Sequence, residues 1–400
     1  MPITLASKKN CTGCLACVDA CPHYAIQKII GSDGHFYVHI NTEICVECGL
    51  CQKVCPVVSS YKHQNDFLTS TSKPYAAWNL DIEQRLNSTS GGIFAAIATY
   101  ILNAGGSVVG AKSDGQYVRH IVINNIEDLS VLQGSKYIQS DTSGIYQETK
   151  RLLVNGRLVL FSGTGCQIAG LLSFLRKPYK NLYTIDLACA GVSSSLIMSN
   201  FCQHLNLSPI DIRWRDKSKG WQHGLQLAVK TKDGVRFFKS DSERTLLGGG
   251  FLGGMTYRFS CYNCEFCGVS RKSDFTIADF WGVNGFREEV KNGISLLIVH
   301  SAKGDELVKH CSLSLHSTSW TECLKENRRV VDGFSFVPIE REFLSFSFNK
   351  LSYTTLTKIY AGNISRNDFI WIPYKIFRFM RWYLLNRIYS RRIQKILKNL

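Results

Sequence analysis

Apolar positions along this chain are grouped in different ways, and each grouping predicts a different kind of element. Up to Ser59 they come only in short pieces between polar turns. Ala25 to Thr42 reads as two strand-like pieces about the turn Gly31-Ser32-Asp33-Gly34. Ser60 to Lys73 is polar and reads as a linker. Beyond it the apolar runs lengthen. Gly91 to Asn103 (GGIFAAIATYILN) reads as a helix, with Ser88-Thr89-Ser90 in front of it as capping residues. Gly106 to Gly110 and Val118 to Asn124 are strand patterns. Leu158 to Phe161 and Tyr183 to Leu187 are two more, bracketing a helix from about Cys166 to Leu175; this alternation predicts an α/β unit. Leu225 to Lys230 and Val235 to Phe238, joined through Asp233-Gly234, have the form of a hairpin. Phe275 to Phe280 and Ser295 to His300 complete the apolar strands, and from Phe369 onward apolar and basic residues mix in a helical tail.

The cysteines add chemistry to this outline. Cys11, Cys14, Cys17 and Cys21-Pro22 read C-x2-C-x2-C-x3-C-P, and Cys45, Cys48, Cys51 and Cys55-Pro56 repeat the run 34 residues later. This is the bacterial two-cluster ferredoxin spacing, in which the fourth cysteine of each run ligates the other cluster. Cys11, Cys14, Cys17 and Cys55 are therefore expected on one 4Fe-4S cluster, and Cys45, Cys48, Cys51 and Cys21 on a second. Zinc sites usually take two pairs of ligands, not two identical runs of four. The expected chemistry is electron transfer.

Length and charge narrow the rest. The 400 residues exceed a ferredoxin alone and imply two or three domains. Residues 1–10 lack an apolar signal core, and thiolate-bound clusters favour a reducing compartment, so a cytoplasmic protein is expected. No apolar stretch is long enough to cross a bilayer. The formal charge is +16, of which residues 351–400 carry ten Lys and Arg against one acid, Asp368, a net of +9. No nucleic-acid motif accompanies this basic segment, so nucleic acid is not expected as a partner. An anionic membrane surface or an acidic protein suits it better, and 369–400 is expected to be able to lie peripherally on the inner membrane face.

FSGTGCQIAG at 161–170 follows a strand and opens a helix, where small residues let backbone N–H groups approach an anion. It is neither a dinucleotide fingerprint nor a P-loop. Its company is more telling: STSGGIF at 88–94, GSKYIQS at 134–140, DLACAGVSS at 186–194, RWRDKSKGW at 213–221, SCYNCEFC at 260–267 and SDFTIADFWG at 273–282. In this order the motifs resemble the coenzyme F420 hydrogenase/dehydrogenase beta-subunit family, over roughly Pro74 to Leu324. The resemblance implies an FAD-containing α/β domain, often with its own 4Fe-4S cluster. Carried onto this chain, the ligands of that third cluster would be Cys166, Cys189, Cys261 and Cys264. Two positions depart from the family, which usually has proline at Gly165 and histidine at Ala190. Cys267 extends the C-x2-C to C-x2-C-x2-C and is an alternative ligand to Cys166 or Cys189. Cys202, Cys311 and Cys323 read as core residues.

For the flavin, the resemblance and the local pattern nominate Ser88, Ser90, Gly91 and Gly92 near the phosphates. Lys136 is nominated as a countercharge, with Gln139, Ser140, Thr164 and Gly165 beside them. Arg215, Lys217, Gly220 and Trp221 are candidates for a substrate-facing loop, and LLGGGFLGG at 246–254 for a mobile cover. The expected architecture is an α+β ferredoxin-like two-cluster domain over 1–59, a linker over 60–73 and an α/β flavin-binding domain of the family type. The last divides into an N-terminal part, 74–150, and a C-terminal part, 151–335, before a basic tail, 336–400. The expected function is an iron-sulfur flavoprotein oxidoreductase. It would take electrons from a low-potential donor, such as a ferredoxin or a redox-enzyme subunit, through the 4Fe-4S clusters to FAD and a small-molecule acceptor, F420 or another reducible compound. The alternative is a non-catalytic electron-transfer subunit that docks on a partner enzyme.

Overall fold

The computed structural model describes residues 3–59, 71–221, 226–239, 246–333 and 350–360, with single positions between 337 and 394. The cysteine-rich module contains α1 (Ala16–Ala20), the antiparallel pair β1 (Ile26–Ile30) and β2 (Phe36–Ile40), and α2 (Leu50–Lys53). It then passes into a larger α/β body. That body opens with β3 (Lys73–Asn79), α3 (Ile82–Asn87), α4 (Ile93–Asn103), β4 (Ser107–Asp114) and β5 (Tyr117–Ile123). It continues with β6 (Ser140–Asp141), α5 (Ile145–Val154), β7 (Val159–Thr164), α6 (Gly165–Leu175), β8 (Leu182–Leu187) and α7 (Ser195–His204). A small antiparallel sheet follows, made of β9 (Asp211–Arg213), β10 (Gln226–Thr231) and β11 (Gly234–Lys239). The chain returns through β12 (Phe275–Asp279), α8 (Arg287–Val290), β13 (Ser295–Val299), α9 (Ala302–Val308) and β14 (Leu313–Ser317).

The large sheet has nine strands in the order β14-β3-β13-β12-β8-β7-β4-β5-β6. Its centre, β12-β8-β7-β4, is parallel. Strands from 74–150 and from 151–335 interleave in it, so both halves build one core. Central strands covered on both faces need continuous apolar runs, and β13, with all five residues buried, has one. Helix α4 packs against this sheet with Ile93, Ile97 and Ile101 essentially solvent-free.

The start of α4 differs from the capping expected of Ser88-Thr89-Ser90. Gly92 is the residue before the helix, at φ 80°, and no side chain caps it. The serines are engaged elsewhere: the Ser88 hydroxyl donates to Gln84 O, and that of Ser90 to Ile294 O. A left-handed turn there admits glycine at no steric cost. The polar run expected as a linker also ends one residue earlier, because Lys73 already pairs with Val299 in the sheet.

The cysteine module is seated on this body by buried polar contacts. The Asp19 carboxylate accepts from the Gly144 and Tyr146 amides at 2.6 and 3.0 Å, at the start of α5. Burial pushes that carboxyl up to about 6, against the amide donors that favour its charged form. Thr142 donates to Cys14 O at 2.8 Å, and Gln139 Oε1 accepts from the Phe36 amide at 2.9 Å. A Cβ added to Gly170 of α6 would meet Cys14 Sγ at 3.1 Å, so the glycine permits this close approach.

Among the described residues no helix is long and apolar enough to cross a membrane. Most of the tail 369–400 lies outside the described residues. The positions that are described include Ile376, Met380, Tyr383 and Leu384, all helical and exposed.

Candidate functional site

Strands β7 and β8 run parallel, with Thr164 opposite Leu187 at their carboxyl ends. Two residues beyond each lie Cys166 and Cys189, so the register delivers both thiols to one edge of the sheet. Ligands in α/β sheets bind outside this edge. The loop 258–271 brings Cys261 and Cys264 to the same place. Cys189 is within electrostatic reach of Cys261 and Cys166, and Cys264 of Cys166 and Cys261. Burial pushes Cys189 up to about 12 and Cys261 to about 11. Four such thiols can ionise together only if cationic metal compensates them, which is the chemistry of an iron-sulfur ligand set. No group of three His, Cys, Asp or Glu side chains among the described residues is arranged for a single metal ion. Cys267 lies beside Cys264, its thiol 3.0 Å from Cys264 O and hydrogen-bonded with the Cys264 thiol, so it stays next to the set as the alternative ligand.

In the cysteine module the two runs exchange their fourth members. Cys14 is raised to about 12, by burial first and then by the neighbouring Cys55, Cys11 and Cys166. Cys17 is raised by burial and by Cys14, Cys11 and Cys55. Cys51 is raised by burial and by Cys48 and Cys21. Cys21, Cys45, Cys48 and Cys51 also surround one small cavity. Cys48 is exposed, whereas Cys14 faces inward toward α6.

Beside the third thiol set lies a cavity of about 720 Å³, within the range of small-molecule and cofactor sites. Cys166 and Cys189 are on its wall, and so are Thr12 and Gly13 of the cysteine module. Of the nominated residues, Ser88, Ser90, Gly92, Lys136, Gln139, Ser140 and Thr164 line it. Gly91 and Gly165 are not among the lining residues. A Cβ at Gly91 would meet Ala77 O at 2.5 Å, and one at Gly165 would meet Phe266 O at 2.5 Å. Both glycines serve close packing in the structure. The second explains the departure from proline: it lets the Cys264–Cys267 loop lie directly on the start of α6. Proline is sterically suited to a first helical position, but its ring carbons would drive this loop off. Gly165→Pro is therefore expected to lower iron content by about four atoms per chain, the size of one cluster; inductively coupled plasma analysis checks it.

The polar wall has an order of its own. Lys136 Nζ donates to Leu132 O at 3.0 Å and Gln133 O at 2.9 Å, while burial pushes its ammonium down to about 7. Ser140 and His120 pair at 2.7 Å, and His120 Nε2 lies 3.0 Å from Ser162 O. Since a carbonyl only accepts, Nε2 carries the proton and Ser140 donates to Nδ1. Burial lowers His120 to about 4, so the ring is neutral at physiological pH. Arg215 lines the cavity and pairs with Asp279, which also accepts from Trp221 Nε1 at 3.1 Å; Trp221 stacks on Trp281 at 5.0 Å. Lys217 points elsewhere, into the Ser90 and Asn292 carbonyls at 2.8 and 2.9 Å. Gly220 is likewise not among the lining residues, and of the 246–254 segment Phe251 and Leu252 reach the cavity. Sequence reading missed His120, Asp279, Trp281, Arg328 and Arg329 on this wall. The SDFTIADFWG motif holds two of them and was the available signal; the other three follow only from topology.

Comparison with known proteins places these parts in a class. Residues 10–58 match the 4Fe-4S dicluster domain family. Residues 156–318 match the family described as the C terminus of the coenzyme F420 hydrogenase/dehydrogenase beta subunit. The chain thus has the iron-sulfur domain that its cysteine runs predict. More particularly, it carries the C-terminal domain of the coenzyme F420 hydrogenase/dehydrogenase beta-subunit family behind a 4Fe-4S dicluster domain, as its motifs imply. It is 24% identical over 314 residues to the coenzyme F420-dependent sulfite reductase of Methanocaldococcus jannaschii, covering 74% of this chain but only 45% of that protein. The cysteine module is 35% identical over 66 residues to the 7Fe ferredoxin of Hydrogenibacillus schlegelii, which is 16% of this chain and 76% of the ferredoxin. A chain from the F420-reducing NiFe hydrogenase complex of Methanosarcina barkeri aligns with a TM-score of 0.44 and 16% identity, over 74% of this chain and 91% of that one.

Proposed function

We propose that this chain is an iron-sulfur flavoprotein oxidoreductase that takes single electrons from a low-potential protein donor and reduces a small-molecule acceptor. One observation carries the reading: the cavity wall joins the Gly13 loop of the cysteine module to Cys166 and Cys189. The exposed Cys48 set faces the donor, the Cys14 set lies against α6, and the third set opens on the cavity. A flavin, FAD in this proposal, supplies the exchange between single electrons and a hydride. Ser88, Ser90, Gly92 and Lys136 are the residues proposed to hold it. Lys136 gains a role beyond its carbonyl contacts when an anion raises its pKa again, since an opposite charge favours the ammonium. Neutral His120, fixed between Ser140 and Ser162, can orient a bound ring but holds no spare acid proton at neutral pH. The acceptor would sit toward Arg215, Trp281 and Arg329, where coenzyme F420 or another conjugated compound is the proposed class.

Anaerobically purified protein is expected to hold about twelve irons, three clusters of four, and one non-covalent FAD. Addition of a photoreduced low-potential ferredoxin should bleach the flavin absorbance. Iron near eight with no flavin would sink the proposal. The exposed Ile376, Met380, Tyr383 and Leu384 are proposed to meet an anionic membrane face. Salt-sensitive sedimentation with anionic vesicles is the expected result, and protein left in the supernatant at low salt refutes it.

A further inference from the structure

Two arginines are buried beside the third thiol set, and each has guanidinium nitrogens without a hydrogen-bond partner among the described residues. Arg258 is fully buried. Its Nε donates to Cys11 O and its Nη1 to Phe36 O, both at 2.6 Å, and the group lies 4.2 Å from the centre of the Tyr37 ring. Its amide donates to Val192 O at 3.1 Å, and its carbonyl accepts from the Cys261 amide at 3.0 Å. Arg258 therefore stands between the first cluster loop and two of the loops that carry the third set. Arg271 is held by other segments. Its Nη1 donates to Phe266 O at 3.0 Å and reaches the Asp186 carboxylate at 3.4 Å, three residues before Cys189. A Cβ at Gly165, next to Cys166, would come within 3.4 Å of that nitrogen.

Arg258 Nη2, Arg271 Nε and Arg271 Nη2 are buried and have no hydrogen-bond partner among the described residues. An unmade hydrogen bond on a buried charged group is costly, so such groups normally mark a partner that the chain itself does not supply. Asp186 offsets one of the two charges; the other has no carboxylate paired with it among the ion pairs of the described residues. Four thiolates around a cubane leave a net negative group, and reduction adds one more electron to it. A cation beside it stabilises the reduced state more than the oxidised state.

We propose that Arg258 and Arg271 are the counter-ions of an anionic iron-sulfur cluster on Cys166, Cys189, Cys261 and Cys264, donating their free N–H groups to its sulfurs and raising its reduction potential. The proposal rests on the third-cluster reading above. Hydrogen bonds to sulfur and local net charge are two of the levers that set such potentials. Electrostatic reach agrees with this placement: Arg258 acts on Cys166 and Cys261, and Arg271 on Cys189 and on the adjoining Cys267. A raised potential makes the third set an acceptor for the pair in the cysteine module. Both arginines are positioning and tuning residues; neither touches the substrate.

The test is a redox titration of the full chain followed by electron paramagnetic resonance, with iron content measured in parallel. Arg271→Gln is the cleaner variant, because its hydrogen bonds among the described residues go to Phe266 and Asp186, outside the cysteine module. The third-cluster signal should shift to a more negative midpoint by at least a tenfold change in equilibrium, about 59 mV for one electron. The signals of the other two clusters should stay in place. Arg258→Gln should shift the same signal, and Arg258→Lys, which keeps the charge, should shift it less. Loss of iron in Arg258→Gln but not in Arg258→Lys also supports charge compensation. Unmoved midpoints in both Gln variants, or equal iron loss in Arg258→Gln and Arg258→Lys, overturn the proposal. Loss of flavin without a shift in the cluster also overturns it, by assigning the arginines to the flavin phosphates. Wild-type protein without a third cluster overturns the underlying reading too, whereas a third cluster with unmoved midpoints overturns this inference alone.

Discussion

Replacing Cys261 and Cys264 together with serine is expected to leave about eight of about twelve irons and to stop ferredoxin-driven bleaching of the flavin. The two residues belong to the set that opens on the cavity, while the Cys14 and Cys48 sets reside in a module with its own hydrogen bonds. The clusters of the module should therefore keep their spectra and still accept electrons from the donor. Chemical reduction by dithionite, which needs no protein route, should still bleach the bound flavin. This separates a broken relay from a collapsed cavity. Retention of donor-driven bleaching would show that electrons reach the cavity without this set. Cys267→Ser separates the two ligand sets that include Cys264: unchanged iron and bleaching are expected where Cys166 and Cys189 complete the set, and loss of about four irons would give Cys267, which adjoins Cys264, one of their places.

The largest stability effect is expected at Arg341. Its Nη2 pairs with Asp33 at 2.9 Å and its Nε donates to Tyr257 O at 2.5 Å, with Asp33 and Arg341 both almost fully buried. Arg341→Ala leaves the Asp33 carboxylate without its permanent countercharge, at a cost of about 3–5 kcal/mol. Burial alone would raise the Asp33 carboxyl. The His35 hydrogen bond and the charges of His35 and Arg341 instead hold it far below the usual carboxylate range. Burial also lowers His35, so the guanidinium supplies the lasting positive charge. A depressed folded pKa stabilises the protein above the unfolded carboxyl value, about 4, and that contribution disappears as pH falls toward the folded value. The wild-type chain should accordingly lose stability below about pH 4, and Arg341→Ala should show less of this dependence. The urea concentration at which the module's clusters bleach measures both effects. The added change Asp33→Asn should recover part of the loss, because it removes the uncompensated charge.

Much of the site was legible because its signals are local. Two cysteine runs of fixed spacing define a ligand set without any tertiary information, and a strand that leads into a helix at Thr164 places Cys166. Ser88 to Ser90 misled because hydroxyl residues before a helix are usually caps, and here Gln84 claims Ser88 while the long-range partners Ser135 and Ile294 claim Thr89 and Ser90. Strand β3 was harder still: Pro74 lies inside it, and proline in a strand pattern argues against a central position. It is nevertheless held between β13 and β14. Gln139 shows a second limit. Its motif nominated it for the flavin, and it does line the cavity, but its side chain also accepts from Phe36 and reaches Gly13 O at 3.4 Å. Arg258, Arg271 and Arg341 carry no sequence signal, because an arginine that neutralises a buried group resembles one in solvent until its surroundings are known.

The seating of the cysteine module on α5 and α6 has a kinetic consequence. A carrier on a tether must swing and find its acceptor, so its rate falls as the solvent thickens. Here Asp19, Thr142 and Gln139 hold the two parts in contact, and exchange between them contains no diffusive leg. Raising viscosity with sucrose should therefore slow the encounter with an external donor and leave the internal electron-transfer rate unchanged.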